Sequence, residues 1–271
     1  MNYKFISDAH VHSDNSYDAL DPTIKLCEYA ERIGLYSVTI TDHFNCNEYV
    51  QRDSRRAIRQ AFFQVKKAQS VFKDSINVLA GIELGQPNHN RTAAEDALAQ
   101  TDFDFVLAGI HKLKNSDNFS KINFTNDNVN NILMRYFDEI LDLINWGNFD
   151  SLAHLNYPLK FVAQKTQLCI DTNSISKKIN TITLELAKRK KALEIDDYML
   201  TATPANPLCA TNILRAFRRF GGTNITFGSN AHTYKNIGDG INSGLKAALT
   251  AGFTHFALFK NRAPHLMPIM C

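Results

Sequence analysis

No apolar run in the 271 residues is long enough to cross a bilayer as a helix, which removes a membrane-spanning reading. No block of lysine and arginine with interleaved aromatics occurs, so a nucleic-acid partner has no electrostatic footprint. The one short basic cluster, Lys188-Arg189-Lys190-Lys191, reads as a solvated helix C-terminus that complements the helix dipole. The five cysteines, Cys27, Cys46, Cys169, Cys209 and Cys271, have no paired spacing and read as reduced thiols of a cytoplasmic protein. No charged and apolar leader precedes the first strand. Repeats, low-complexity tracts and linkers are absent, so residues 1–271 read as a single domain.

What is present is core-forming material. Hydrophobic residues make up 44% and charged residues 21%, which permits a sizeable core. The net charge of +3 suits a small anionic substrate without requiring one.

Strand and helix signals alternate along the chain. The apolar run Tyr3 to Ile6 leads into Asp8-Ala9-His10-Val11-His12, a strand whose alternation points His10 and His12 to one face. Asp21 is the expected cap and Pro22 the first residue of a helix closed by Gly34. Ser37 to His43 is a β-branched strand ending in Asp42-His43, and a helix from roughly Arg52 to Phe72 follows. Strands over Ile76–Leu84, Phe103–Ile110, Asp150–His154, Ala192–Ile195 and Ile225–Phe227 come next. They alternate with helices near 92–100, 126–145, 174–190, 211–220 and 242–251, and a strand-like tail covers 253–259. Seven strand-then-helix units predict a parallel sheet with right-handed crossovers, closed as a distorted seven-stranded relative of the eight-stranded TIM barrel. An open doubly wound sheet is the alternative.

The strand ends carry the chemistry. Six of the nine histidines, His10, His12, His43, His111, His154 and His232, fall there, together with Glu83 and Asn230. A closed barrel puts all strand C-termini on one rim, so these side chains would converge. Imidazoles and a carboxylate gathered in one place point to a site for several divalent cations, with zinc, iron and manganese all suited to mixed N/O ligands.

The pieces His10-Val11-His12, Thr41-Asp42-His43, Gly81-Ile82-Glu83, Gly109-Ile110-His111, Ala153-His154 and Gly228-Ser229-Asn230-Ala231-His232 resemble the polymerase-and-histidinol-phosphatase (PHP) superfamily of metal-dependent phosphoesterases. The resemblance implies a distorted seven-stranded barrel and three metal ions. His10, His12, Glu83 and Asn230 would hold one; Asp18, His43 and His232 a second; Glu83, His111 and His154 a third. The family has Asp where Asn230 stands. An amide coordinates without charge or proton chemistry, so turnover is expected to be slow. An introduced substitution that holds uncleaved substrate and a natural residue both fit. Asn230 and His232 are the candidate catalytic positions.

Chain length, Ala192-Leu193-Glu194-Ile195, Phe220-Gly221-Gly222 and Phe259-Lys260-Asn261-Arg262 are similar to the stand-alone histidinol-phosphatase branch. That similarity implies L-histidinol phosphate as substrate, in histidine biosynthesis. Another small phosphate ester or nucleotide, or a metal-binding module with little turnover, are the alternatives. Lys160, Lys112 and Arg91 are candidate phosphate-binding cations. Glu194 or Asp196 could meet a substrate ammonium, and Phe44 or Tyr157 could flank an imidazole. The polar stretch from His111 to Thr125 is a candidate lid.

Overall fold

The computed structural model describes residues 5–49, 53–163, 168–196 and 209–270. Tyr3 and Arg52, placed above in a strand and a helix, lie outside them, as does Cys271.

Seven strands form one parallel sheet in chain order: β1 (Ser7–Val11), β2 (Ser37–Ile40), β4 (Asn77–Gly85), β5 (Phe105–Gly109), β6 (Ser151–Leu152), β7 (Ala192–Ile195) and β8 (Ile225–Phe227). The sheet then meets itself. Val11 bridges Ala231 in parallel, and the His12 N–H donates to the Ala231 carbonyl at 2.9 Å. This closure separates the expected barrel from an open doubly wound sheet. The strand expected over Ser37–His43 breaks at Thr41-Asp42 into β2 and a short β3 (His43–Asn45), which pairs with β4 so that His43 sits beside Glu83.

Helices cover the outside because their apolar residues recur at three- and four-residue spacing. In α1 (Thr23–Arg32), Leu26, Cys27 and Ala30 are buried; in α2 (Ser54–Val71), Ile58, Ala61, Val65 and Ala68. The others are α3 (Arg91–Leu98), α4 (Val129–Trp146), α5 (Tyr157–Ala163), α6 (Thr172–Lys188), α7 (Ala210–Arg219) and α8 (Ile241–Ala251). Gly34 stops the α1 segment at φ +77°, as expected of a left-handed terminator. The expected cap at Asp21 is corrected. Pro22 takes that position, and Asp21 instead accepts from the Tyr234 N–H at 2.8 Å and from Lys25 at 2.6 Å. No helix among the described residues is long and apolar enough to cross a membrane.

The tail is a two-stranded hairpin, β9 (His255–Lys260) with β10 (Ala263–Pro268), rather than one strand. It plugs the barrel floor. Ala257 and Phe259 pack with Phe105, Leu107, Ala153 and Ala192 inside the sheet, and the Phe259 and Phe105 rings lie 5.1 Å apart. With the floor closed by apolar side chains, the opposite end is the open one.

Candidate metal centre

The open end is built from the residues that leave each strand. Glu83 emerges from β4, fully buried, and its two oxygens divide the surrounding imidazoles. Oε2 faces His10 Nε2 at 3.4 Å, His12 Nε2 at 3.7 Å and His43 Nδ1 at 2.5 Å. Oε1 faces His154 Nε2 at 2.8 Å and His111 Nε2 at 3.2 Å, and those two ring nitrogens are themselves 3.1 Å apart. Towards the mouth, Asp18 Oδ2 stands 3.5 Å from His232 Nε2 and 3.8 Å from His43 Nε2. Asn230 Oδ1 lies 3.0 Å from His12 Nε2.

Local backbone makes this crowding possible. A Cβ at Gly109 would lie 2.4 Å from the His154 ring, so only glycine lets that imidazole cross β5. Asn230 and His154 both have positive φ, +52° and +27°, which turns their chains sharply at the strand ends. Asparagine tolerates that region; for histidine it is strain held by the surroundings.

The inner nitrogens face acceptors while the outer ones are tied down. His10 Nδ1 is 2.8 Å from Glu194 Oε1. His232 Nδ1 donates to the Asn230 carbonyl at 2.9 Å. His12 Nδ1 meets Ser16 Oγ at 3.3 Å, and that hydroxyl donates to Asp42 at 2.8 Å. Each arrangement places the proton on Nδ1 and leaves the Nε2 lone pair aimed at Glu83, Asp18 or Asn230. Lone pairs facing carboxylate oxygens repel unless a cation lies between them. Consistent with that, His10 Nε2, His43 Nδ1 and Glu83 Oε2 are buried without a hydrogen bond. Among the described residues, three groups bring ligand atoms within 4.8 Å of one another: His10, His12, Glu83; His12, His43, His232; and His43, Glu83, His111. The residues therefore fit divalent cations.

Charge supports the fit. Burial opposes ionisation of Glu83, yet the imidazoles of His43, His10 and His111 hold its carboxyl well below the usual range. Burial together with His43 and His10 pushes His12 well below an ordinary histidine, which keeps it neutral and able to coordinate. Burial also works against a charged His232, but the Asp18 carboxylate raises it.

The outer candidates divide. Tyr157 lies on the wall, its ring 5.0 Å from His154 and 5.4 Å from His111. Lys160 follows one turn later in α5, on the same helical side. Lys112 lines a polar groove beside His111 and pairs with Glu48 at 3.6 Å. Several expectations are corrected. Phe44 alternates away from His43 into the apolar core and cannot flank a ligand. Arg91 starts α3 on the outer surface and pairs with Asp142 at 2.8 Å. Glu194 is fully buried beneath the rim, with both oxygens engaged by His10 and by the His154 N–H, so it does not meet an ammonium. Asp196 is buried too. The stretch after His111 is not a free lid either, since Leu113, Phe119 and Phe124 anchor it in the core.

Four supporting residues carried no role in the sequence reading. Asp8 accepts from the Ser229 and Gly238 N–H groups at 3.0 and 2.9 Å and so ties β1 to the loop bearing Asn230. Asp42 gathers the Ser13 N–H and the Ser13 and Ser16 hydroxyls. Ser16 Oγ in turn accepts the His43 N–H at 3.0 Å. Gln86 accepts the His111 N–H at 2.8 Å. An acid one residue before a strand-end histidine was the visible signal for Asp42; their partners are far off in sequence.

A family model described as PHP domain matches residues 8–198, a span that ends before Asn230 and His232. A histidinol-phosphatase of Lactococcus lactis is 26% identical over 254 residues, covering 93% of each chain. A Clostridium acetobutylicum protein named "Probable histidinol-phosphatase" is 25% identical over 247 residues, 90% of this chain and 92% of its own. The crystal structure of the Lactococcus lactis histidinol phosphate phosphatase, complexed with zinc, L-histidinol and phosphate, superposes with a TM-score of 0.78 at 24% identity. It covers 96% of this chain and 99% of that one, a likeness of fold.

Proposed function

The chain belongs to the PHP domain family, and from that membership we propose that it is a metal-dependent phosphomonoesterase that hydrolyses L-histidinol phosphate to L-histidinol and phosphate. The observation that carries the reading is the meeting of five imidazoles on the two oxygens of Glu83. The choice of substrate rests on the names of relatives aligned over nine-tenths of their length. Residues 1–271 act in this reading as one domain in the cytoplasm, with a small phosphate ester as partner.

Three divalent ions, of zinc, iron or manganese, are assigned to the chain. His10, His12, Glu83 and Asn230 would hold the first, Asp18, His43 and His232 the second, and Glu83, His111 and His154 the third. When bound, such ions lower the pKa of water towards neutrality and place positive charge against phosphoryl oxygens. The protein's own groups do the rest. Glu83 stays ionised between its imidazoles and fixes their spacing. His232 stands at the mouth beside Asp18, and its Nδ1–H donates to the Asn230 carbonyl, so its Nε2 is oriented to coordinate rather than to carry a proton. Tyr157 walls the side of the site, and Lys160 and Lys112 supply charge at its edge for the phosphate. Asn230 can coordinate through its amide oxygen but can neither take nor give the proton an Asp could.

The test joins elemental analysis of the purified protein to phosphate-release assays over a panel of phosphomonoesters. Bound metal with a preference for histidinol phosphate is the expected result. Release from another ester alone would assign a different substrate. A second reading, a metal-binding module with little turnover, is favoured by Asn230; it predicts bound metal and no release even from the Asn230→Asp variant.

A further inference from the structure

We infer that Glu194 is a positioning residue that couples two of the metal positions proposed above, one through an imidazole tautomer and the other through a strained backbone. The inference rests on that reading of the metal positions.

Glu194 points from β7 into the barrel interior, fully buried, and divides its two oxygens between β1 and the turn that follows β6. Oε1 is 2.8 Å from His10 Nδ1, and Oε2 accepts the His154 N–H at 2.9 Å. An ionised carboxylate only accepts, so it keeps the His10 proton on Nδ1 and the Nε2 lone pair on the side of Glu83. The second bond serves a different purpose. His154 has φ +27°, a conformation costly for a residue with a Cβ, and its N–H is the group that Glu194 secures. Held there, the His154 ring reaches across Gly109 to the other oxygen of Glu83. His10 and His154 thus stand on opposite oxygens of Glu83 and on opposite oxygens of Glu194. The packing reserves this place: a Cβ at Gly228 would lie 2.4 Å from Glu194 Oε1 and 2.5 Å from His10 Cβ.

The geometry predicts what a neutral amide would do. In Glu194→Gln, one end becomes an NH2 donor. Turned towards His10, it forces Nδ1 to accept and moves the proton to Nε2, where it blocks coordination. Turned towards His154, it opposes the N–H and releases the strained backbone. Either orientation damages one of the two positions, and exchange between them damages both. The Asp18, His43 and His232 position makes no contact with Glu194 and is spared.

The experiment is a zinc titration of the metal-free protein, wild type against Glu194→Gln and Glu194→Asp, with thermal unfolding of each. It is paired with 15N spectra of histidine-labelled metal-free protein, recorded at alkaline pH so that the imidazoles are neutral, which read their tautomers directly. The expected result is an affinity loss of about 10–100-fold at two positions, the range typical of partners behind metal ligands. A third position stays within about threefold, and one histidine resonance pair leaves the Nδ1–H pattern in the Gln variant. Glu194→Asp keeps the charge but falls one methylene short of spanning both partners, so it retains one of the two positions. Unchanged affinities and tautomers in Glu194→Gln would overturn the inference. So would equal loss at all three positions with a collapse of cooperative unfolding, which would make the residue merely structural. If the wild type binds no zinc, the functional reading above fails, and the tautomer comparison still decides the role of Glu194.

Discussion

The two ends of the barrel bury carboxylates on opposite terms. At the floor, Asp104 accepts the Ala80 and Asn261 N–H groups at 3.0 and 3.1 Å. Asp150 accepts the Val106 N–H at 2.8 Å and two nitrogens of the Arg262 guanidinium at 3.1 Å. Every charge there has its donors within the chain. At the mouth, Glu83 meets five imidazoles, and its Oε2 makes no hydrogen bond, nor do His10 Nε2 and His43 Nδ1 beside it. The lesson is that burial of a charge says little by itself. What separates a structural carboxylate from a functional one is whether the fold completes its coordination or leaves it for something else to complete.

That contrast breaks most sharply at Glu83. Glu83→Gln should lower phosphate release by on the order of 10³-fold or more, beyond the about 10–100-fold typical of an outer partner, because two of the proposed metal positions would lose the charge they share. The metal-free variant should still unfold cooperatively near the wild-type temperature at a pH where the imidazoles are neutral. Calorimetry beside the activity assay checks both. A variant that no longer folds would erase the distinction drawn between mouth and floor.

Asn230 tests the mouth from the other direction. Introducing a carboxylate with Asn230→Asp should raise turnover at least about tenfold, since acid-base groups typically contribute about 10²–10⁴-fold. Its left-handed φ of +52° suits Asp nearly as well as Asn, so stability should hold. Equal turnover would mean that no proton passes through this position.

At the floor the expected effects reverse. Arg262→Ala leaves the Asp150 carboxylate with the Val106 N–H as its remaining donor in this network, and it frees Asn148 from a 2.9 Å bond. Arg262 is about one-third exposed, with its side chain at 32%, so the loss is partly screened. A destabilisation of about 1–3 kcal/mol is expected, with kcat unchanged. Denaturant unfolding and steady-state kinetics on one preparation separate the two. A fall in kcat without a fall in stability would show that floor and mouth are not independent.

The two ends also differ in how readily the sequence discloses them. Six histidines at strand ends announce the mouth, because a parallel barrel leaves its strand termini one destination. The floor was hidden. Its hairpin turns on Asn261-Arg262, both at positive φ (+50° and +61°), where a two-residue turn usually shows Asn-Gly. Arg262 is held there by a fork to a residue 112 positions earlier, which no local pattern reveals. The same distance hid Glu194, 184 positions from His10, and made an inward-facing acid look like a substrate contact. Phe44 is a different kind of miss. Strand alternation from His43 already turns it to the core, so that signal was available. Two-residue β6 and the broken β2–β3 pair shift boundaries without moving the side chains that matter.

The smallest effect belongs at the mouth's outer edge, where the chain ceases to be buried. Lys160 sits in α5 three residues after Tyr157, whose N–H donates to the His154 carbonyl at 2.9 Å, so its place is set by the same turn that sets a candidate ligand. Its ammonium lies 5.7 Å from the Phe161 ring, half-buried, in reach of water. A charge so placed attracts an anion before the reaction rather than during it. Lys160→Ala should therefore raise KM about two- to fivefold, the equivalent of a screened surface pair, and leave kcat alone. If kcat falls with KM constant, the ammonium acts on the transition state and belongs with the buried apparatus. If neither moves, the edge of the mouth is as inert towards substrate as the floor.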